Sequence, residues 1–198
     1  MSSLNVRRKM FHLLAFVFAF VYMWAGWLPA AVLSISTLVL ASIIEIWRLR
    51  DSDFPLNIFI RKLIKPEEEN RVAGYFYFIM AATILIFLFP LSVMVTSVVV
   101  AGAADAVASL VGQRWGKHFF MARGKIKTFE GLLGGGVSAF FLTLGLLFYF
   151  NGFYPLTSLI VAIVIVILDY LTPPVDDNLL NPISIAITLT LCGLILSF

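Results

Sequence analysis

A chain of 198 residues that keeps returning to apolar runs near twenty residues has few folds open to it. Runs of that length match the ~20 residues with which a helix crosses a bilayer, whereas a membrane barrel would show alternating segments of about ten. Hydrophobic residues make up 61% of the chain, charged residues 13%, and mean hydropathy is +1.01; soluble proteins carry about 25% charged residues. The fold class expected is all-α, a polytopic membrane helix bundle forming a single integral membrane domain over residues 1–198. The first apolar run is long for a signal-peptide core and has no small-residue cleavage site before Trp27.

About seven transmembrane helices are expected, spanning roughly Met10 to Trp27, Ala30 to Trp47, Ala73 to Phe89, Leu91 to Gly112, Gly131 to Phe150, Tyr154 to Leu171 and Leu179 to Ser197. Turns fall at Leu28-Pro29, Pro90 and Asn151-Gly152. All 14 Lys and Arg lie in three places: the N-terminus, the segment after span 2 and the loop after span 4. With seven spans these share one side, so the positive-inside rule puts the N-terminus in the cytosol and the C-terminus outside. None of the 11 acids falls in an outer loop. Glu45, Asp105, Glu130 and Asp169 sit in or at the ends of spans, each near the inner end. A transport path would need polar groups through the full thickness of the membrane. A charge-free outer half instead favours a reaction at the cytosolic face. Between spans 2 and 3, Leu56, Phe59, Ile60, Leu63 and Ile64 repeat at helical spacing with Arg61, Lys62 and Lys65 off the stripe, which predicts a surface amphipathic helix over about 54–65.

The stretch Gly102 to Gly136 holds the densest chemistry. Asp105 lies seven residues before Gly112, about 10 Å along a helix. An ionised carboxylate in hydrocarbon calls for a metal, a cation or water, so Asp105 reads as a metal ligand or general base, against the plainer reading of a folding ion pair. The expected nucleotide loop, about 112–131, supplies Arg114, Lys117, Arg123, Lys125 and Lys127. Its glycines Gly112, Gly116, Gly124 and Gly131 would leave amide N–H groups open to phosphate, and a helix beginning near Thr128 and Glu130 would attract anions. The spacing is not that of a Walker P-loop. The cations can also be read as topology signals alone.

Asp176-Asp177, followed by Asn178, suits Mg²⁺, which takes oxygen ligands; a helix cap is the plainer reading, and Asp169 points the same way. His12, after Arg8 and Lys9, reads as interfacial, and Glu45 with Arg48 as an i, i+3 pair that is either local or functional. With two histidines and one cysteine, neither a Ser-His-Asp set nor a Cys/His metal cluster is available. Basic residues so close to the bilayer argue against nucleic acid as a partner.

Four motifs, in order along nearly the whole chain, carry a resemblance. They are Arg8-Lys9-x-x-His12; Asp105 with Ala108, Gly112 and Gly116; Lys127-Thr128-x-Glu130-Gly131; and Asp176-Asp177-Asn178-x-x-x-Pro182. The chain resembles the CTP-dependent polyprenol kinase family, which includes dolichol kinase, phytol kinase and CTP-dependent diacylglycerol kinase. It departs from that family's usual residues at Ala104, Thr128 and Asp169, where Gly, Ser and Glu are usual. The resemblance implies transfer of the γ-phosphoryl of CTP, or another nucleoside triphosphate, to a membrane prenol-type alcohol such as dolichol, phytol or geranylgeraniol. It also implies that the loop around Lys125 to Gly131 holds the nucleotide. The residues then take expected roles. Gly112, Gly116, Lys117, Lys125, Lys127, Thr128, Glu130 and Gly131 bind nucleotide; Asp105, Asp176 and Asp177 share Mg²⁺; Asp105, Asp177 and Lys127 are catalytic. Arg8, Lys9, His12, Glu45, Arg48, Asp169 and Asn178 are further candidates. A cytidylyltransferase making a CDP-activated lipid is the neighbouring alternative, although the Lys-Asp…His-Gly-Gly…Asp-Arg pattern of phosphatidate cytidylyltransferases is absent. A small transporter or structural membrane protein is the alternative of another class.

Overall fold

A computed structural model describes residues 16–50, 64, 68–123 and 125–196. Arg8, Lys9, His12, Gly124 and all of the expected surface helix except Ile64 lie outside the described residues. The described chain is almost wholly helical: α1 Phe16–Ala25, α2 Trp27–Arg50, α3 Gly74–Leu88, α4 Leu91–Trp115, α5 Phe129–Phe150, α6 Pro155–Leu171 and α7 Asp177–Leu196, with strands β1 Phe119–Ala122 and β2 Lys125–Thr128 between α4 and α5. Four helices, α2, α4, α5 and α7, are long and apolar enough to cross a membrane. The apolar helices α1, α3 and α6 are shorter, and the 15 residues of α3 rise only about 22 Å. Large apolar side chains such as Trp24, Leu88, Phe141, Phe148 and Leu194 stand exposed on these helices. A soluble monomer does not expose apolar surface on this scale, and a lipid-facing surface does.

The chain divides into two compact units, Met1–Leu88 and Phe89–Phe198. In the first, α1 ends at Gly26, whose φ of +89° an L side chain adopts only under strain. The turn therefore falls before Leu28-Pro29, where the sequence reading put it. Pro29 sits in the first turn of α2, where its missing N–H costs no helical bond. Helices α2 and α3 run antiparallel. Trp27 Nε1 donates to Ile86 O at 3.0 Å at one end, Thr83 Oγ1 to Ser34 O at 3.4 Å farther along, and Ala73 N to Glu45 Oε2 at 3.2 Å at the other end.

In the second unit, α4 and α5 pack through small residues. A Cβ added at Gly131 would lie 2.9 Å from Ala108 O, and one at Gly135 3.0 Å from Ala108 Cβ. The two helices thus approach nearly backbone to backbone, as small residues permit in membrane bundles. The core continues through Val100, Ala101, Ala104 and Ala139 to Val161, Ile165, Ile185 and Leu189, so α4 to α7 share one interior.

The segment after α4, expected to be a loop, is a β-hairpin. Ala122 pairs with Lys125 and Phe119 with Thr128, so two residues connect the strands. Arg123 has a φ of 48°, the backbone sign that two-residue hairpin turns require. Phe120 packs on Phe129 and Tyr170, with ring centroids 4.9 and 5.4 Å apart, which fixes the hairpin against the end of α6.

Candidate functional site

The hairpin sets the site. Along β2 burial deepens toward α5: Lys125 and Ile126 are exposed, Lys127 is half-buried and Thr128 is buried. Lys127 Nζ donates to the main-chain O of Asp169 at 2.7 Å and pairs with the Asp169 carboxylate. This contact joins residues 42 apart in sequence. Near the turn, Arg123 Nη1 donates to Thr172 O at 3.4 Å. The hairpin is thereby tied to the C-terminal end of α6, where two unpaired carbonyls accept its cations, as the negative end of a helix favours.

Next to these ties lies an open cleft, lined by Lys125, Lys127, Leu168, Asp169, Thr172, Pro173, Val175, Asp176, Asp177, Leu180 and Asn181. Next to it is a smaller recess, lined by Ala101, Ala104, Asp105, Ala108, Leu132, Gly135, Ile165, Asp169 and Asn181. Asp169 and Asn181 line both. The cleft is charged, with two lysines and three aspartates. The neighbouring cavity is walled by small apolar side chains, with Asp105 as its acid. The residues before and after the hairpin, far apart in the chain, meet here through α4, α6 and α7.

Several expected site residues have structural work instead. Thr128 caps α5, its Oγ1 accepting from Gly131 N at 3.1 Å. Glu130 reaches back to the base of the hairpin, where its Oε1 lies 2.6 Å from His118 Nδ1 and both of its oxygens accept from His118 N at 3.3 Å. The glycines are close-approach residues. A Cβ at Gly112 would lie 2.8 Å from Thr128 Oγ1, and one at Gly116 2.5 Å from Thr128 Cγ2. Their amides do not form an open phosphate cradle, because Gly116 N donates to Gly112 O, Gly131 N to Thr128, and Gly112 lies within α4. Lys117 is exposed outside the cleft wall. Of the expected nucleotide loop, Lys125 and Lys127 are the residues that line the cleft.

The three carboxylates expected to share a metal line two neighbouring hollows. Asp105 is exposed rather than buried, and it lines the smaller cavity while Asp176 and Asp177 line the cleft. Among the described residues, no three His, Cys, Asp or Glu side chains gather into a group that could hold a metal ion. Asp176 is partly committed to the chain: its Oδ1 accepts from Asn178 N at 3.0 Å and Asn178 Nδ2 at 2.9 Å, and its main-chain O accepts from Leu179 and Leu180, so it caps α7. Asn178 is the partner of that cap. Glu45 and Arg48 belong to the first unit and form a closed network. Arg48 pairs with Glu45 at 2.7 and 3.0 Å and donates to the carbonyls of Glu68, Glu69 and Arg71, while Tyr75 OH donates to Glu45 at 2.5 Å. Both are under 6% exposed, so the local pairing is structural.

Two residues of the site escaped the sequence reading. Asn181 stands four residues after Asp177 and therefore on the same helix face, a spacing that could have found it. Thr172 ends α6 with φ 43° and ψ 69°. A β-branched residue in the left-handed region is an outlier, at a cost of order 1–3 kcal/mol. Compared with known proteins, the chain matches no protein-family model, no curated protein and no solved structure.

Proposed function

We propose that this protein is a lipid-alcohol kinase of the membrane, transferring the γ-phosphoryl of CTP or another nucleoside triphosphate to a prenol-type alcohol. The observation that carries the reading is the pairing of cavities. A cleft with two lysines and three aspartates shares Asp169 and Asn181 with a small-residue cavity that holds Asp105, within helices whose outward surface is apolar. Phosphoryl transfer asks a protein chiefly for positioning and charge neutralisation, and this arrangement offers both beside a lipid-accessible surface. In the proposed bundle all seven helices lie in the membrane, the N-terminus is cytosolic and the C-terminus outside, and the cleft opens to the cytosol, where nucleotides are. The resemblance of the motifs to CTP-dependent polyprenol kinases supports the choice of nucleotide and alcohol.

In the proposed reaction the alcohol oxygen forms a bond to the γ-phosphorus, the bond from that phosphorus to the β–γ bridging oxygen breaks, and the nucleoside diphosphate leaves. The hydroxyl proton goes to the Asp105 carboxylate. Lys125 and Lys127 neutralise phosphate charge, and Lys127 is held ready by Asp169. Mg²⁺ is usually bound by one or two carboxylates plus substrate phosphates. Asp176 and Asp177 fit that donor set without a third acid, and the ion would supply charge neutralisation on the phosphates. The test is one assay of purified protein with γ-labelled CTP and ATP in parallel against prenols, phytol and diacylglycerol. The reading expects a labelled lipid monophosphate. A parallel incubation of CTP with a lipid monophosphate covers the cytidylyltransferase, which would give a CDP-lipid while the γ-label leaves in pyrophosphate; no labelled lipid from any alcohol and nucleotide pairing would remove the kinase.

A further inference from the structure

Thr172 combines three features that its place in the chain does not explain. Its φ of 43° is left-handed, where Gly or Asn usually ends a helix. Pro173 follows it, and a residue before proline is driven to extended backbone, so the conformation is disfavoured twice. Its Oγ1 is shut off from solvent and has no hydrogen-bond partner. Thr96, Ser97, Thr143 and Thr157 also have unpartnered buried hydroxyls, but among the described residues only Thr172 combines one with a place in the cleft wall, beside Lys125, Lys127, Asp176 and Asp177. Its main chain is fully engaged: Thr172 N donates to Leu168 O at 2.9 Å, and Thr172 O accepts from Arg123. The backbone is thus pinned in a strained shape while the hydroxyl goes unused. Strain held by surrounding contacts clusters at ligand sites, and an orphaned buried hydroxyl is a departure from the rule that buried polar groups are hydrogen-bonded.

We propose that the Thr172 hydroxyl is a ligand contact of the cleft, turning about χ1 to donate to an oxygen of a metal-bound polyphosphate whose charge Lys125 and Lys127 neutralise. The inference rests on reading the cleft as a polyphosphate site, and it adds a group that neither the motifs nor the expected loop contains. A hydroxyl donor to an anionic oxygen is stronger than one to a neutral partner, and the hairpin's hold on Thr172 O through Arg123 would set the position from which it is offered.

The test uses the full chain in nanodiscs, with inorganic triphosphate and Mg²⁺ as the probe and calorimetric titration as the readout. Thr172→Ser keeps the hydroxyl and is expected to bind within about threefold of wild type. Thr172→Val, the isostere without the hydroxyl, is expected to bind roughly tenfold or more weakly, as loss of a hydrogen bond to a charged group implies. Thr172→Gly relieves the left-handed backbone, so it is expected to raise the melting temperature while binding as weakly as Val, which separates loss of the contact from loss of the fold. Wild-type affinity in Thr172→Val, or no triphosphate binding by the wild type, overturns the proposal. If the binding series holds but no lipid alcohol is phosphorylated, the kinase reading fails and the phosphate contact stands.

Discussion

The two charged clusters of this protein are built in opposite ways. In the first unit, Glu45 and Arg48 are buried almost completely, and their side chains are met by each other, by Tyr75 and by main-chain groups from Glu68 to Ala73. In the second unit, Lys125, Lys127, Asp169, Asp176 and Asp177 surround an open cleft, next to a strained Thr172 whose hydroxyl has no partner. A buried ion pair whose remaining hydrogen-bonding capacity is filled has no capacity left for a ligand, and its value lies in what breaking it would cost. The second cluster pairs Lys127 with Asp169 and uses Asp176 to cap α7, yet its side chains line an open cleft beside a strained Thr172 rather than closing on one another. Both clusters lie near ends of apolar helices, so proximity of charge to a membrane edge does not by itself separate structure from function; satisfaction does.

Three substitutions would break or sharpen that contrast. The largest effect is expected at Asp105→Asn, which removes the proposed base. Phosphoryl transfer should fall roughly 10²–10⁴-fold, the usual contribution of general base catalysis, with the melting temperature unchanged; near-normal transfer would take Asp105 out of the mechanism. Next is Arg48→Ala, which strands the Glu45 carboxylate in a buried site. A loss of about 3–5 kcal/mol of stability is expected, read as earlier thermal unfolding, while the protein that remains folded keeps its transfer rate. If Arg48→Ala stayed stable and lost transfer, the first cluster would be functional and the contrast would fail. The smallest effect is expected at Gly131→Ala, whose Cβ would meet Ala108 O and Thr128 Oγ1, each at 2.9 Å. Crowding of this kind costs about 1–3 kcal/mol. A variant of wild-type stability that no longer bound nucleotide would return Gly131 to the ligand.

Most of the helices were legible because a long apolar run ends where Pro, Gly or charge begins. Leu91 after Pro90, Phe150 before Asn151-Gly152 and Leu171 before Thr172-Pro173 mark observed ends. The hairpin was not legible. Its strands are four residues each, and Lys-Ile-Lys-Thr alternates over too short a stretch to stand out from a basic loop. The packing of the glycines is not legible, for a different reason. A glycine that admits phosphate and one that admits a neighbouring helix look alike in sequence, and only the contact with Ala108 and Thr128 tells them apart. Of the site, the acids and lysines could be named from their types, but the Lys127–Asp169 pair joins residues on different elements and no local pattern announces it. Thr172 was invisible because strain and an absent partner are properties of the fold.

The most direct test of the central claim is the identity of the lipid product. Wild-type protein and Asp105→Asn, each reconstituted in vesicles containing a prenol, are given γ-labelled CTP and Mg²⁺, and the lipid fraction is resolved by mass. The account predicts a labelled prenyl monophosphate from the wild type and its near-complete loss in the variant at equal melting temperature. Equal label in both proteins, or no labelled lipid from the wild type with any nucleotide and alcohol, would contradict it.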